Sequence, residues 1–326
     1  MAIGSIVDRL IEAPIVTSFT RVGYVTRSRL EGWTPLDDYQ LDGRVIVVTG
    51  ATSGLGKATA NQLARCGATV VLVGRAADRN TAVFDELIEL TGNEAISQIP
   101  ADMGDYDQVQ ALAEAIMTDH DRLDVLIHNA GALTAERQVA PDGTEATVAS
   151  QVVGPFLLTG LLLGRLTESA PSRVLTMSSG GMYSAGLSVN KLQMSEDDYR
   201  GVEQYARAKR AQVTLNEEWA RRAGDRGIRF HAMHPGWADT PGVDDSLPGF
   251  AKVVGPLFRT PDQGADTMVW LAADDDEPLD TNGLFWLDRR PRSTHRLPTT
   301  RARDTEARRH QLWDWVVETS GLDPLA

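Results

Sequence analysis

From residue 43 onward the chain alternates two patterns. Short aliphatic and β-branched runs at 44–49 (RVIVVT), 69–73 (TVVLV), 95–99, 123–128 (LDVLIH), 173–177 (RVLTM), 228–233 and 284–287 predict strands. Between them, stretches with apolar residues every three or four positions predict helices at about 55–66, 106–118, 144–166, 202–223 and 262–272. Runs that are apolar throughout suit strands buried on both faces, as in a parallel sheet. The order predicts a doubly wound α/β fold, a seven-stranded parallel sheet with helices on both faces. Ligands in such sheets bind at the carboxyl ends of the strands, where strand order reverses.

Two flanks stand apart from this main domain, which is set at 41–290. Residues 1–40 form an N-terminal arm in which Ile3, Ile6, Val7, Leu10 and Ile11 recur at helical spacing until Pro14. The arm reads as packing on its own domain, with a partner or membrane-surface contact as the alternative. Residues 291–326 form a C-terminal extension whose Leu312, Trp313, Trp315, Val316 and Val317 predict an amphipathic helix docked on the domain. Eight arginines fall within 289–310 against Asp304 and Glu306, which reads as a solvated tail pairing with acidic surface elsewhere, with a membrane-surface or partner contact as the alternative.

Composition narrows the function classes. The 326 residues carry a net charge of −13, so a broad nucleic-acid surface is not expected. The lone Cys66 cannot form an internal disulfide, which fits a reducing, cytoplasmic location. No apolar run reaches the ~18 residues a membrane-crossing helix needs. No secretion signal is expected. Peripheral membrane contact and homo-oligomer formation stay open.

The first chemical signal lies between the first strand and the first helix. In Thr49-Gly50-Ala51-Thr52-Ser53-Gly54-Leu55-Gly56 the glycines let the backbone turn sharply and approach a pyrophosphate at a helix N-terminus. The second strand ends in Gly74-Arg75, without the acidic residue that would accept the 2′-hydroxyl of NAD. A guanidinium at 75 suits a 2′-phosphate, so NADP(H) is the expected cofactor, with Lys57 and Arg79 as helpers. Asp102, followed by Met103, stands where it can meet the adenine. The alternative is a cap for the helix starting near Asp105. Asn129, Ala130 and Gly131 end the fourth strand and allow close approach to the ribose. Asn129 also ties neighbouring strands.

The second signal is Tyr205-Ala206-Arg207-Ala208-Lys209. A phenol and an ammonium four residues apart share one helix face. The ammonium is expected to lower the phenol's pKa for acid–base work. Ser179, with Ser178 in reserve, ends the fifth strand and can polarise a carbonyl oxygen. The segment between Ser179 and Tyr205, with Met182, Tyr183, Leu187, Leu192 and Met194, is a candidate pocket wall and suggests a fairly hydrophobic small-molecule substrate. After the sixth strand, Pro235, Gly236 and Trp237 shape a loop across the nicotinamide. Thr240 can hold its carboxamide, and residues 243–258 can close as a lid.

TGATSGLG, NAG at 129–131, SS at 178–179, YARAK and HPGWADT at 234–240 follow the order and spacing of one family. Over about residues 43–290 the chain resembles the short-chain dehydrogenases/reductases, particularly the retinol-dehydrogenase-like members. SSGGM at 178–182, HPGWADTPGV at 234–243 and QGADTM at 263–268 carry the finer likeness. The resemblance implies a Rossmann fold, a nicotinamide cofactor and carbonyl–alcohol interconversion, with Ser179, Tyr205 and Lys209 catalytic. It also exposes a departure: Gln151 stands where the family has an Asn whose carbonyl holds a water near the Lys. Pro155, four residues on, has no N–H to bond the Gln151 carbonyl, and is expected to preserve that water site. The competing readings are a catalytically weak NADP-binding sensor or scaffold, and a sugar-nucleotide epimerase or dehydratase.

Overall fold

A computed structural model of the chain describes residues 8, 10–12, 14–239, 249, 252 and 254–325. The strands are β1 (Val45–Thr49), β2 (Thr69–Gly74), β3 (Ile96–Pro100), β4 (Val125–His128), β5 (Ser172–Met177), β6 (Ile228–Met233), β7 (Phe285–Leu287) and β8 (Arg290–Arg292). They form one sheet in the order β3-β2-β1-β4-β5-β6-β7-β8. The first seven run parallel and β8 pairs antiparallel with β7. The sheet therefore has eight strands where seven were expected. The extra strand arises because Asp288 and Arg289, both at positive φ (55° and 52°), close a two-residue turn. Such a hairpin turn usually takes Asn-Gly, so its sequence signal was absent. The domain boundary drawn at 290 falls inside this hairpin.

Alternation along each strand divides the core. Val45, Val47, Val71, Val73, Leu126 and Val174 face one layer, where Phe156, Trp219 and Trp313 also pack. Ile46, Val48, Val70, Leu72, Ile127 and Leu175 face the other, with Leu63, Leu87 and Met268. The arm contributes α1 (Ile15–Phe19) and α2 (Arg21–Glu31). Helices α3 (Gly54–Arg65), α4 (Ala77–Thr91) and α5 (Tyr106–Asp119) follow β1, β2 and β3. Helix α4 was not anticipated, because only Asn80, Val83 and Leu87 of its fifteen residues are buried.

The long helix expected at 144–166 is broken. A short helical turn, Ala146–Val148, passes into a π turn at Ala149–Val153, then α6 (Gly154–Leu161) and α7 (Leu163–Glu168). In the π turn the Gly154 N–H reaches back five residues to the Ala149 carbonyl. Pro155 sits in the next turn, where its missing N–H removes an ordinary helical bond. Helix α8 (Gly201–Ala223) covers β5 and β6, α9 (Pro261–Ala273) covers the opposite face, and α10 (Glu306–Ser320) docks through Leu312, Trp313 and Val316.

The arginine-rich segment pairs with acids elsewhere, as expected, but it is held against the domain and is not a solvated tail. Arg289 pairs with Asp266, Arg290 with Glu31, Arg292 with Asp8 and Arg296 with Glu12. Its charges were matched by acids of the arm and α9, far away in sequence. No helix among the described residues is long and apolar enough to cross a membrane.

Candidate active site

The reversal of strand order falls between β1 and β4, and the candidate residues gather at the carboxyl ends of these strands and β5. The glycine turn leads from β1 into α3. A Cβ on Gly56 would lie 2.1 Å from the Gly50 carbonyl oxygen and 2.3 Å from the Asn129 amide nitrogen, so the turn closes only with glycine there. Asn129 donates to the carbonyls of Thr49 (3.0 Å) and Gly50 (3.1 Å), tying β4 to the turn. The N–H groups of Asn129 and Ala130 both reach the Thr49 hydroxyl, at 3.1 Å. Thr52 lies against Gly74, and Leu55 against Gly264 of α9. Ser53 precedes α3 in an extended conformation.

Arg75 is exposed and makes only a loose 3.9 Å ion pair with Asp102. Lys57 is turned instead to Glu86, at 2.6 Å. Arg79 is exposed. Asp102 accepts from the Gly104 N–H at 2.8 Å, whereas Asp105 itself caps α5. Asp102 therefore closes a turn and leaves the helix cap to its neighbour. Met103 is buried behind it.

At the end of β5 the two serines separate. The Ser178 hydroxyl is buried and donates to the Lys209 carbonyl at 3.3 Å. The Ser179 hydroxyl starts the turn Gly180–Ser184, accepting from the Gly181 N–H at 3.2 Å. Tyr205 lies beside it: a Cβ on Gly181 would be 3.6 Å from the Ser179 hydroxyl and 4.0 Å from the Tyr205 ring. Tyr205 and Lys209, on consecutive turns of α8, face this hydroxyl and the strand end. Lys209 Nζ lies 5.2 Å from the Tyr205 ring centroid and donates to the Met177 carbonyl at 2.9 Å.

The electrostatics differ from the expectation that the lysine would lower the phenol. Burial pushes Tyr205 up to about 12, opposed by the nearby Ser179 hydroxyl. Burial also draws Lys209 down from 10.5 to about 7. A lysine so weakly charged, set over the ring and bonded to a carbonyl, offers the phenolate little help.

Gln151 is fully buried in the π turn and donates to the Ala132 carbonyl at 2.7 Å; Gly131 packs against its side chain. Gln151, His128, Thr159, Gln212 and Asn216 line an internal cavity of about 30 Å³. Among the described residues, His128 Nδ1, Gln151 Oε1, both polar atoms of the Gln212 amide and Asn216 Nδ2 are buried without partners. Tyr205, Lys209, Gln212 and Asn216 fall at helical spacing on α8. The sequence carries no signal for this buried polar stripe, because glutamine and asparagine at such spacing read as ordinary surface positions.

The expected pocket wall is displaced. Met182, Leu187, Leu192 and Met194 are buried in the core, and Tyr183 packs among aromatic rings and bonds the Ser293 carbonyl at 3.0 Å. These side chains carry no argument about substrate polarity. Pro235, Gly236 and Trp237 do form a loop beyond β6. Phe19 of the arm and Arg259 border it, two contacts that no local sequence signal announces. Thr240 lies outside the described residues, as do 243–248, 250, 251 and 253 of the expected lid.

A short chain dehydrogenase family model matches residues 44–248. Dehydrogenase/reductase SDR family member 12 of Homo sapiens is 40% identical over 295 residues, covering 90% of this chain and 91% of that protein. Retinol dehydrogenase 11 of Homo sapiens is 33% identical over 293 residues, covering 87% of each. A solved short chain dehydrogenase from Escherichia coli CFT073, complexed with NADPH, shares the fold with TM-score 0.63 and 26% identity, covering 79% of this chain and 100% of that one. The chain belongs to the short-chain dehydrogenase/reductase family, on its retinol-dehydrogenase-like side, and is an oxidoreductase of that type.

Proposed function

We propose that this chain interconverts a carbonyl and an alcohol on a small molecule, using NADP(H), with Tyr205 as the proton-transferring group. The observation that carries the reading is the meeting of Ser179, Tyr205 and Lys209 at the end of β5. The residues present fit a nicotinamide dinucleotide: the close-packed Gly50–Gly56 turn would take the pyrophosphate, and Asn129, Ala130 and Gly131 the ribose. Exposed Arg75, next to a position without a carboxylate, supports NADP(H) over NAD(H). The NADPH complex of the Escherichia coli relative agrees with this. When bound, the coenzyme donates or accepts the hydride.

The protein's own groups do the rest. With its pKa pushed up to about 12, Tyr205 holds its proton at neutral pH and can hand it to a substrate oxygen. The Ser179 hydroxyl holds that oxygen. Lys209, titrating near 7, can pass a proton toward the phenol. The unpartnered polar atoms beside Gln151 call for buried water, and the cavity has room for it. Water there would sit against Gln151, Pro155 and Gln212, one helical turn beyond Lys209, and is the water site that the Gln151–Pro155 turn is proposed to preserve. The test is a panel of aldehydes, ketones and secondary alcohols followed by NADPH absorbance, run beside Ser179→Ala. We expect turnover of at least one substrate and a loss of about 100-fold in the variant. Undiminished turnover in the variant would contradict the assignment.

A further inference from the structure

The N-terminal arm reaches the loop at the candidate nicotinamide site. The Trp237 N–H donates to the Phe19 carbonyl at 2.7 Å, and the Arg259 N–H donates to the Trp237 carbonyl at 2.8 Å. The loop thus lies between the arm on one side and Arg259 on the other. The Arg259 guanidinium joins arm and loop: it donates to the carbonyls of Ser18 (2.9 Å) and Thr20 (3.3 Å) in the arm and of Pro235 (3.1 Å) in the loop. Gly236 has φ +74°, and a Cβ there would lie 2.4 Å from Arg259 Nε and 2.6 Å from the Phe19 carbonyl oxygen. The loop glycine is therefore needed for the arm to seat.

Asp288 fastens this assembly. It bonds Arg259 at 2.6 Å and Arg27 of α2 at 2.6 Å, with all three side chains almost fully buried. Arg27 in turn bonds Asp8 at 2.8 Å and the Ser18 carbonyl at 3.2 Å. Asp288 sits at positive φ, a conformation that disfavours a non-glycine residue. Glycine would relieve the turn, but only a carboxylate can serve both guanidiniums.

Phe19 touches the second half of the site as well. A Cβ on Gly180, the residue after Ser179, would come 2.7 Å from the Phe19 ring. The same ring packs edge-on against His234 (4.3 Å between centroids) and Trp237 (5.8 Å). One arm residue thus abuts both the turn that starts at Ser179 and the loop at 235–237.

We propose that Phe19 and Asp288 are positioning residues, and that the arm is a built-in wall of the coenzyme site, holding Pro235–Trp237 in place. The proposal rests on the functional reading above, in that this loop faces the coenzyme. Three measurements test it on the full chain carrying Phe19→Ala, Phe19→Leu or Asp288→Asn. The first is amide hydrogen exchange at 234–239 in the coenzyme-free protein. The second is NADPH affinity by fluorescence titration. The third is the division of any activity loss between KM for NADPH and kcat.

Phe19→Ala and Asp288→Asn should speed exchange at Trp237 and Asp239 without changing β1–β4. They should weaken NADPH by about tenfold through a displaced loop, with the loss in KM rather than kcat at saturation. Phe19→Leu should restore most of the affinity. If Phe19→Ala does not fold, Phe19→Leu and the near-isosteric Asp288→Asn bear the same comparison. Folded variants with unchanged exchange and NADPH affinity within about twofold of the parent would overturn the proposal. Wild-type protein that binds no NADPH would instead refute the functional reading, while the exchange result still reports on the arm.

Discussion

Lys209 lies over the face of Tyr205, its ammonium 5.2 Å from the ring centroid, and spends a hydrogen bond on the Met177 carbonyl at 2.9 Å. The amine is thus placed for chemistry and badly placed for stability. No carboxylate partners it among the described residues, and burial draws it down to about 7.

Removing that amine should stabilise the protein while ending catalysis. Unfolded, Lys209 titrates near 10.5; folded, near 7. Between those values the unfolded chain holds the extra proton, so stability climbs as pH rises from about 7 to about 10.5, and the penalty is fully present below 7. Lys209→Met should add on the order of 2 kcal/mol at neutral pH, seen in urea melts, with the gain shrinking toward pH ~10. A variant less stable than the parent would contradict the assignment of a penalty to this site.

Buried histidines set the acid limit. Burial lowers His128 to about 3 and His231 to about 4, against an ordinary 6.5. Below about 6.5 the unfolded chain takes up protons that the folded one refuses, so stability falls as pH drops toward those lower values. Urea melts should lose about 2–4 kcal/mol between pH ~7 and ~5. Equal stability at both pH values would show these rings to be accessible.

Coenzyme choice should turn on Arg75. Arg75→Ala should raise KM for NADPH about tenfold or more and leave KM for NADH nearly unchanged, because only the phosphorylated ribose loses a charge-assisted bond. An unchanged NADPH/NADH preference would refute the role. The reciprocal change at Gly74 is a poor test: a Cβ there would lie 2.3 Å from the Asn80 side-chain oxygen and 2.6 Å from Thr52.

The legible parts were those where chemistry or burial demands particular residues at short spacing. RVIVVT and TVVLV became β1 and β2 because a strand covered on both faces needs unbroken apolar residues. TGATSGLG and YARAK stood out because a close backbone approach and a shared helix face are local requirements. The illegible parts depend on partners distant in sequence. Arg292 pairs with Asp8 and Arg27 with Asp288, across 284 and 261 residues. Local charge patterning implies acidic partners for the arginines but cannot name them or show that the pairs are buried, so the segment read as a solvated tail. Strand β8 was hidden for a related reason, since Asp-Arg occupies a turn normally marked by Asn-Gly. Helix α4 exposes most of its length and left too thin an apolar stripe to register.

The most direct test of the central claim is Tyr205→Phe, which deletes one oxygen from the face shared with Ser179 and Lys209. NADPH should bind with the parent's affinity by fluorescence titration, while turnover of an active substrate falls by about 10³-fold. Turnover close to the parent's, with NADPH bound, would mean that the phenol does not move the proton and that the account is wrong.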